Sequence, residues 1–100
     1  MQLSIIVPVF NEEKSLAVIL ERLLALDVDK EIIAVDDGSH DRSPDILQKL
    51  ADDKKIIFIR HEKNQGKVAA LRTGVGHTTG DVVVFTDADC TYPARYIPEF

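Results

Sequence analysis

Four short apolar runs separated by polar or amphipathic stretches set the rhythm of the chain: residues 3–7 (LSIIV), 31–35 (EIIAV), 56–59 (IIFI) and 82–85 (VVVF). Each run is continuous rather than alternating, which is the pattern of parallel strands covered on both faces. Between the first two, Leu16, Ile19, Leu20, Leu23 and Leu24 recur at the spacing of a single helical face. Asn11 is a suitable N-cap for that helix, and Glu12 and Glu13 place negative charge at the positive end of its dipole. A second helix is predicted from residue 41 or 43, with Pro44 in its first turn and Ile46, Leu47 and Leu50 facing inward. A third runs from about Lys67 through Leu71 and stops at Gly74 or Gly76. The order is β-α-β-α-β-α-β, followed by a loop and the start of a further helix near Ala94. Such alternation predicts an α/β fold, a parallel three-layer sandwich with right-handed crossovers. The strand order expected for it is 3-2-1-4.

In a sheet of this kind, ligands bind beyond the carboxyl ends of the strands. The residues expected there are Pro8-Val9-Phe10-Asn11-Glu12, Asp36-Asp37-Gly38-Ser39, His61 with Asn64-Gln65-Gly66-Lys67, and Asp87-Ala88-Asp89. Asp and Gly after a strand also make ordinary turns, and an isolated Asp-x-Asp carries little information. Two acidic clusters at the same rim are more telling, because gathered carboxylates repel unless a cation or hydrogen-bond donors satisfy them. Asp87 and Asp89 suit a hard divalent ion, Mg²⁺ or Mn²⁺, which prefers oxygen ligands and shares them with substrate phosphates. Asp37 suits a different task, accepting hydrogen bonds from a base N–H or a ribose hydroxyl. In the order 3-2-1-4 the second and fourth strands stand two spacings apart, about 10 Å. That distance fits a nucleoside at one and its diphosphate at the other. Lys67, at a helix start, can meet phosphate or water equally well.

Composition narrows the classes. One hundred residues make one domain at most, and 45% hydrophobic with 29% charged residues is a globular balance. A net charge of -5 argues against nucleic acid as the partner, since phosphate binding is driven by clustered Lys and Arg. A nucleotide is compatible with it, because a bound metal reverses the local field. The single cysteine, Cys90, allows no internal disulfide and points to a cytoplasmic setting. The apolar run at 3–10 is broken by Pro8 and is far shorter than the roughly 20 residues of a membrane span. His40, His61 and His77 lack metal-ligand spacing and read as surface or capping residues.

Taken together, Val7-Pro8-Val9-Phe10-Asn11-Glu12, Val35-Asp36-Asp37-Gly38-Ser39, Asn64-Gln65-Gly66-Lys67, Gly80-Asp81 and Asp87-Ala88-Asp89 resemble the inverting family 2 glycosyltransferases. The likeness runs over the whole chain, in the family's order. The tail Asp87-Ala88-Asp89-Cys90-Thr91-Tyr92-Pro93, with Tyr96-Ile97-Pro98-Glu99-Phe100, is most similar to polyprenol-phosphate sugar transferases, the dolichyl-phosphate enzymes among them. The resemblance implies a fold of the glycosyltransferase A type, a GDP- or UDP-hexose donor, and a polyprenyl-phosphate or glycan acceptor at the cytoplasmic membrane face. It implies that Pro8, Phe10, Glu12, Val35 and Asp37 line the nucleoside site. Asp87, Ala88 and Asp89 would hold the diphosphate and its metal. Phe10 stands where Tyr is usual, and Thr91, a candidate third metal ligand, where Gln is frequent. The acceptor half of such enzymes lies further along the chain. Residues 1–100 are therefore expected to be a donor-binding part, inactive alone, with a bare fourth strand open to self-association.

Other readings fit less well. An aspartate-nucleophile phosphatase also carries Asp-x-Asp after a strand, but there the motif closes the first strand, and here three β-α units precede it. A receiver-like binding module places its acidic pair after the first strand, not the second. Gly66-Lys67 lacks the remaining residues of a P-loop, and Gly74, Gly76 and Gly80 follow a helix instead of opening one.

Overall fold

A computed structural model describes residues 2–86 and the strand at 95–98. Its elements are β1 (Leu3–Val9), α1 (Glu13–Leu24), β2 (Lys30–Asp37), α2 (Ser43–Asp52), β3 (Ile57–His61), α3 (Lys67–Val75), β4 (Val82–Phe85) and β5 (Arg95–Pro98). They form one five-stranded sheet in the order β3-β2-β1-β4-β5. The first four strands are mutually parallel, in the expected order, and β5 runs antiparallel to β4.

The continuous apolar runs do what such runs predict: both faces of the sheet are covered. On one face Ile5, Val7, Val9, Ile32, Ala34, Val82 and Val84 pack with Leu16, Ile19, Leu20 and Leu23 of α1 and Leu47 of α2. On the other face α3 lies against Ile33 and Val35 through Ala70. Its approach is close because Gly74 has no side chain: a Cβ there would stand 2.5 Å from Ile6 Cγ2.

Three expectations are corrected. Asn11 does not cap α1. It has a left-handed backbone (φ 51), and its side-chain oxygen reaches across to accept the His40 N–H at 2.8 Å. The chain does not begin a helix after position 94; 95–98 is a strand, in keeping with aromatic Tyr96 and β-branched Ile97. Proline at 98 is tolerated because β5 is an edge strand. The fourth strand is consequently not bare, since β5 occupies the edge on which the expected self-association rested.

The acidic pair is also placed differently from a turn. Asp36 and Asp37 are the last two residues of β2 itself, so strand alternation sends their side chains to opposite faces.

Candidate functional site

At the carboxyl ends of β1, β2 and β3 three loops are tied to one another by side chain to backbone hydrogen bonds. Ser39 Oγ accepts from the Asn11 N–H (2.8 Å) and Ser43 Oγ from the Glu12 N–H (3.0 Å). Asp41 accepts from the Glu13 and Ser43 N–H groups. The β1–α1 loop is thereby fastened to the β2–α2 loop. Gly38, with φ +77, lets the second loop touch the third: a Cβ there would lie 2.7 Å from Asn64 N and 2.9 Å from Lys63 C. No L side chain fits that backbone without strain.

Asp37 is the hub of this rim. It is only 3% exposed, and it faces the α3 side with Ile33 and Val35. Its Oδ1 accepts from the Gln65 N–H (2.9 Å) and is 2.8 Å from His61 Nδ1, while Oδ2 accepts from the Gly66 N–H (2.8 Å). The Asn64 side-chain amide donates to its backbone carbonyl. Burial pushes the Asp37 carboxyl up, but the Gln65 N–H, the His61 ring and the Gly66 N–H outweigh it and hold the group below the ordinary carboxylate range. It is therefore ionised at neutral pH. A carboxylate has about four acceptor positions, and three of those of Asp37 are taken by described residues.

Asp36 points the other way. Its Oδ2 accepts from the Ser39 N–H (3.1 Å) and lies 3.6 Å from Arg60 Nε. Its Oδ1 is buried with no partner among the described residues.

Of the other residues singled out by sequence, Pro8 is half-buried and, by register beside Val35, shares the α3-side face with Asp37. Phe10, at 43% exposed, presents its ring at the rim. Glu12 is partly buried just before α1, and Lys67 is exposed as the first residue of α3. Val35 is fully buried in the smaller core, so its side chain supports α3 and offers no surface to a ligand. Asp87, Ala88, Asp89, Cys90 and Thr91 lie outside the described residues. Thr86, immediately before them, is buried and its N–H donates to Ile6 O. The chain thus leaves β4 beside β1 and two strands from Asp37. Among the described residues no group of three His, Cys, Asp or Glu side chains could hold a metal. No described helix is long and apolar enough to cross a membrane.

His61 is the residue that the sequence reading missed. It is not a surface side chain: only 9% of it is exposed, and its ring bridges Asp37 to Thr73 Oγ1 on α3 (Nε2···Oγ1 2.8 Å). The available signal was register. In parallel strands Asp37 and His61 pair directly, and cross-strand partners share a face.

The doubly covered sheet, with its four parallel strands, is that of an α/β domain, and the carboxyl rim that carries Asp37, Phe10 and the start of α3 is where such sheets generally bind ligands. The chain belongs to glycosyl transferase family 2, whose model matches residues 4–100. It is 44% identical over 101 residues to the undecaprenyl-phosphate 4-deoxy-4-formamido-L-arabinose transferase of Pectobacterium atrosepticum, covering 95% of this chain and 31% of that protein. Among solved structures it resembles a mannosyltransferase from Pyrobaculum calidifontis in complex with GDP-Man and Mn²⁺ (TM-score 0.81, 31% identity, 93% of this chain and 29% of that one). It also resembles S. aureus TarS in complex with UDP-GlcNAc (TM-score 0.78, 29% identity, 89% of this chain and 27% of that one). The chain thus spans about a third of the length of the relatives it matches.

Proposed function

We propose that this chain is the donor-binding side of an inverting hexosyltransferase that takes a GDP- or UDP-sugar and passes the sugar to a polyprenyl phosphate. The observation that carries this reading is the strand order. It sets the tip of β2, with Asp37, two spacings (about 10 Å) from the strand that leads into Asp87-Ala88-Asp89. A nucleoside at the first and a diphosphate at the second match that span. Phe10 supplies a ring for the base to lie against, with Pro8 and Glu12 beside it, and Asp37 Oδ2, which takes a single donor among the described residues, accepts a base or ribose proton.

Asp87 and Asp89, with Thr91 as a third ligand, offer hard oxygen donors that fit Mg²⁺ or Mn²⁺. When bound, such an ion neutralises charge on the departing diphosphate. Ala88 and Lys67 would contact the phosphates. The acceptor chemistry is supported by the undecaprenyl-phosphate transferase among the relatives. A phosphate oxygen is already nucleophilic and needs less help from a general base than a sugar hydroxyl. Its attack on the anomeric carbon, opposite the leaving diphosphate, inverts the configuration. Such a lipid acceptor would bring the reaction to a membrane surface, which we read as the cytoplasmic face. Residues 1–100 would supply the donor half only, so the chain by itself binds nucleotide and transfers no sugar.

An amide spectrum recorded with UDP- and GDP-hexoses, each with diamagnetic Mg²⁺, tests the reading. The proposal expects shifts at Phe10, Glu12 and Asp37. Shifts confined to the opposite rim of the sheet would contradict it, and sugar transfer by the chain alone would overturn the donor-half division.

A further inference from the structure

We propose that His61 is a positioning residue of the nucleotide site: it locks the Asp37 carboxylate, and through it the Gln65–Gly66 turn, against α3. This rests on the reading of the carboxyl rim as the donor-nucleotide site.

The argument is one of donors and acceptors. Asp37 accepts from Gln65 and Gly66 through both oxygens, and His61 Nδ1 lies 2.8 Å from Oδ1. An ionised carboxylate only accepts, so the ring must carry its proton on Nδ1. Thr73 Oγ1 stands 2.8 Å from Nε2 and 3.0 Å from the Ala69 carbonyl. A threonine hydroxyl has one proton and can give it to either. With a neutral ring it donates to Nε2. With a charged ring it turns to Ala69 O and accepts from Nε2. Both states satisfy every group without moving the imidazole, so the ring remains a fixed strut between strand and helix.

That strut has a consequence at the rim. Without it, Asp37 Oδ1 keeps only the Gln65 N–H and the carboxylate is free to rotate about its side-chain bonds. The Oδ2 oxygen proposed to meet the nucleotide would then no longer be held in one direction. Pre-organised acceptors lose affinity when they are released. The same release loosens Gln65 and Gly66, whose N–H groups are held from the far strand by this one carboxylate.

The test compares the wild-type chain with His61→Leu, His61→Asn and Thr73→Val, reading UDP affinity in the presence of Mn²⁺ by calorimetry. The amide exchange of Gln65 and Gly66 and the ring-nitrogen spectrum of His61 are read without nucleotide. The expected ring is protonated on Nδ1 when neutral. His61→Leu should bind UDP about tenfold more weakly and exchange the two amides about tenfold faster, in line with the loss of one charge-assisted hydrogen bond. His61→Asn, which keeps a donor towards Asp37, should recover most of the affinity. Thr73→Val, which keeps the shape of the helix residue, should fall between and serves if His61→Leu does not fold. Wild-type affinity in His61→Leu or Thr73→Val, or a neutral ring protonated only on Nε2, overturns the proposal while leaving the donor-site reading intact. A wild-type chain that binds no nucleotide overturns the donor-site reading and this proposal with it.

Discussion

The two ends of the sheet each have a carboxylate that gathers hydrogen bonds from distant segments, and they use it differently. At the amino end, Glu31 of β2 directs one oxygen, Oε2, to the Ser4 hydroxyl, the Thr79 N–H and the Thr79 hydroxyl. Ser4 in turn accepts the Gly80 N–H. At the carboxyl end, Asp37 uses both oxygens, on two backbone N–H groups and a histidine. In each case burial raises the carboxyl's proton affinity and hydrogen bonds outweigh it, so both groups sit below their ordinary range. The amino-end cluster consists of hydroxyls and backbone, and closes the loop that feeds β4. The carboxyl-end cluster adds an imidazole ring, a left-handed glycine and a carboxylate oxygen that takes a single donor among the described residues. One is a staple. The other is a staple at the rim where the proposed nucleotide would bind, and it holds its carboxylate in one direction, as a pre-organised site requires.

Substitutions can break this contrast. The largest expected effect is at Gly38, where alanine must adopt φ +77 and push its Cβ into the backbone at Asn64. We expect a loss of about 3 kcal/mol in chemical denaturation. Gly80→Ala meets Ser4 Oγ at 2.6 Å and Gln2 O at 2.8 Å without a left-handed backbone, and should cost about 2 kcal/mol. Equal costs would mean that the carboxyl rim stores no extra strain.

Next comes Asp37→Asn, expected to cost about 2 kcal/mol and to weaken nucleotide binding. With both oxygens in use, an amide must turn its NH₂ towards the Gly66 N–H or towards Gln65 and His61. Glu31→Gln should cost only about 1 kcal/mol and leave nucleotide affinity unchanged, because its carbonyl can take the place of Oε2. A loss of affinity in the Glu31 variant would erase the functional distinction between the two ends.

The smallest effect is in acid. A carboxylate whose folded pKa is depressed contributes stability above its unfolded value and loses it as pH falls through the folded one. From about the ordinary 4.5 of Glu31 downward, and from about the ordinary 3.8 of Asp37 downward, the wild type should weaken. The stability gap to Glu31→Gln should therefore shrink below pH 4.5. A gap that is constant with pH would show that Glu31 contributes through shape alone.

Much of the fold was legible because burial on both faces writes itself as unbroken apolar runs. The four parallel strands and the three helices follow from residues such as Ile5, Ile33 and Val84, whereas the order 3-2-1-4, which the structure has, was expected of the fold type and is not written in those runs. What was not legible depends on partners remote in sequence. Asn11 has the composition of a cap, but its side chain bonds to His40 in the next loop. Asp36 and Asp37 read as a turn because Gly38 follows them, whereas strand pairing with β3 carries them into β2. His61 looked solitary, since Asp37 is 24 residues away in sequence and adjacent only through register. The strand at 95–98 depends on an antiparallel return onto β4, which no local pattern announces. In the candidate site, Pro8, Phe10, Glu12 and Asp37 were found at the expected rim. The interlock that holds them was not foreseen.

The most direct test of the central claim is a calorimetric titration of the chain with UDP and with GDP, with and without Mn²⁺, in the wild type and in Asp89→Ala. The account predicts saturable binding of one nucleotide that requires Mn²⁺ and is lost in Asp89→Ala. No Mn²⁺-dependent affinity for either nucleotide, or binding that survives in Asp89→Ala, would contradict it.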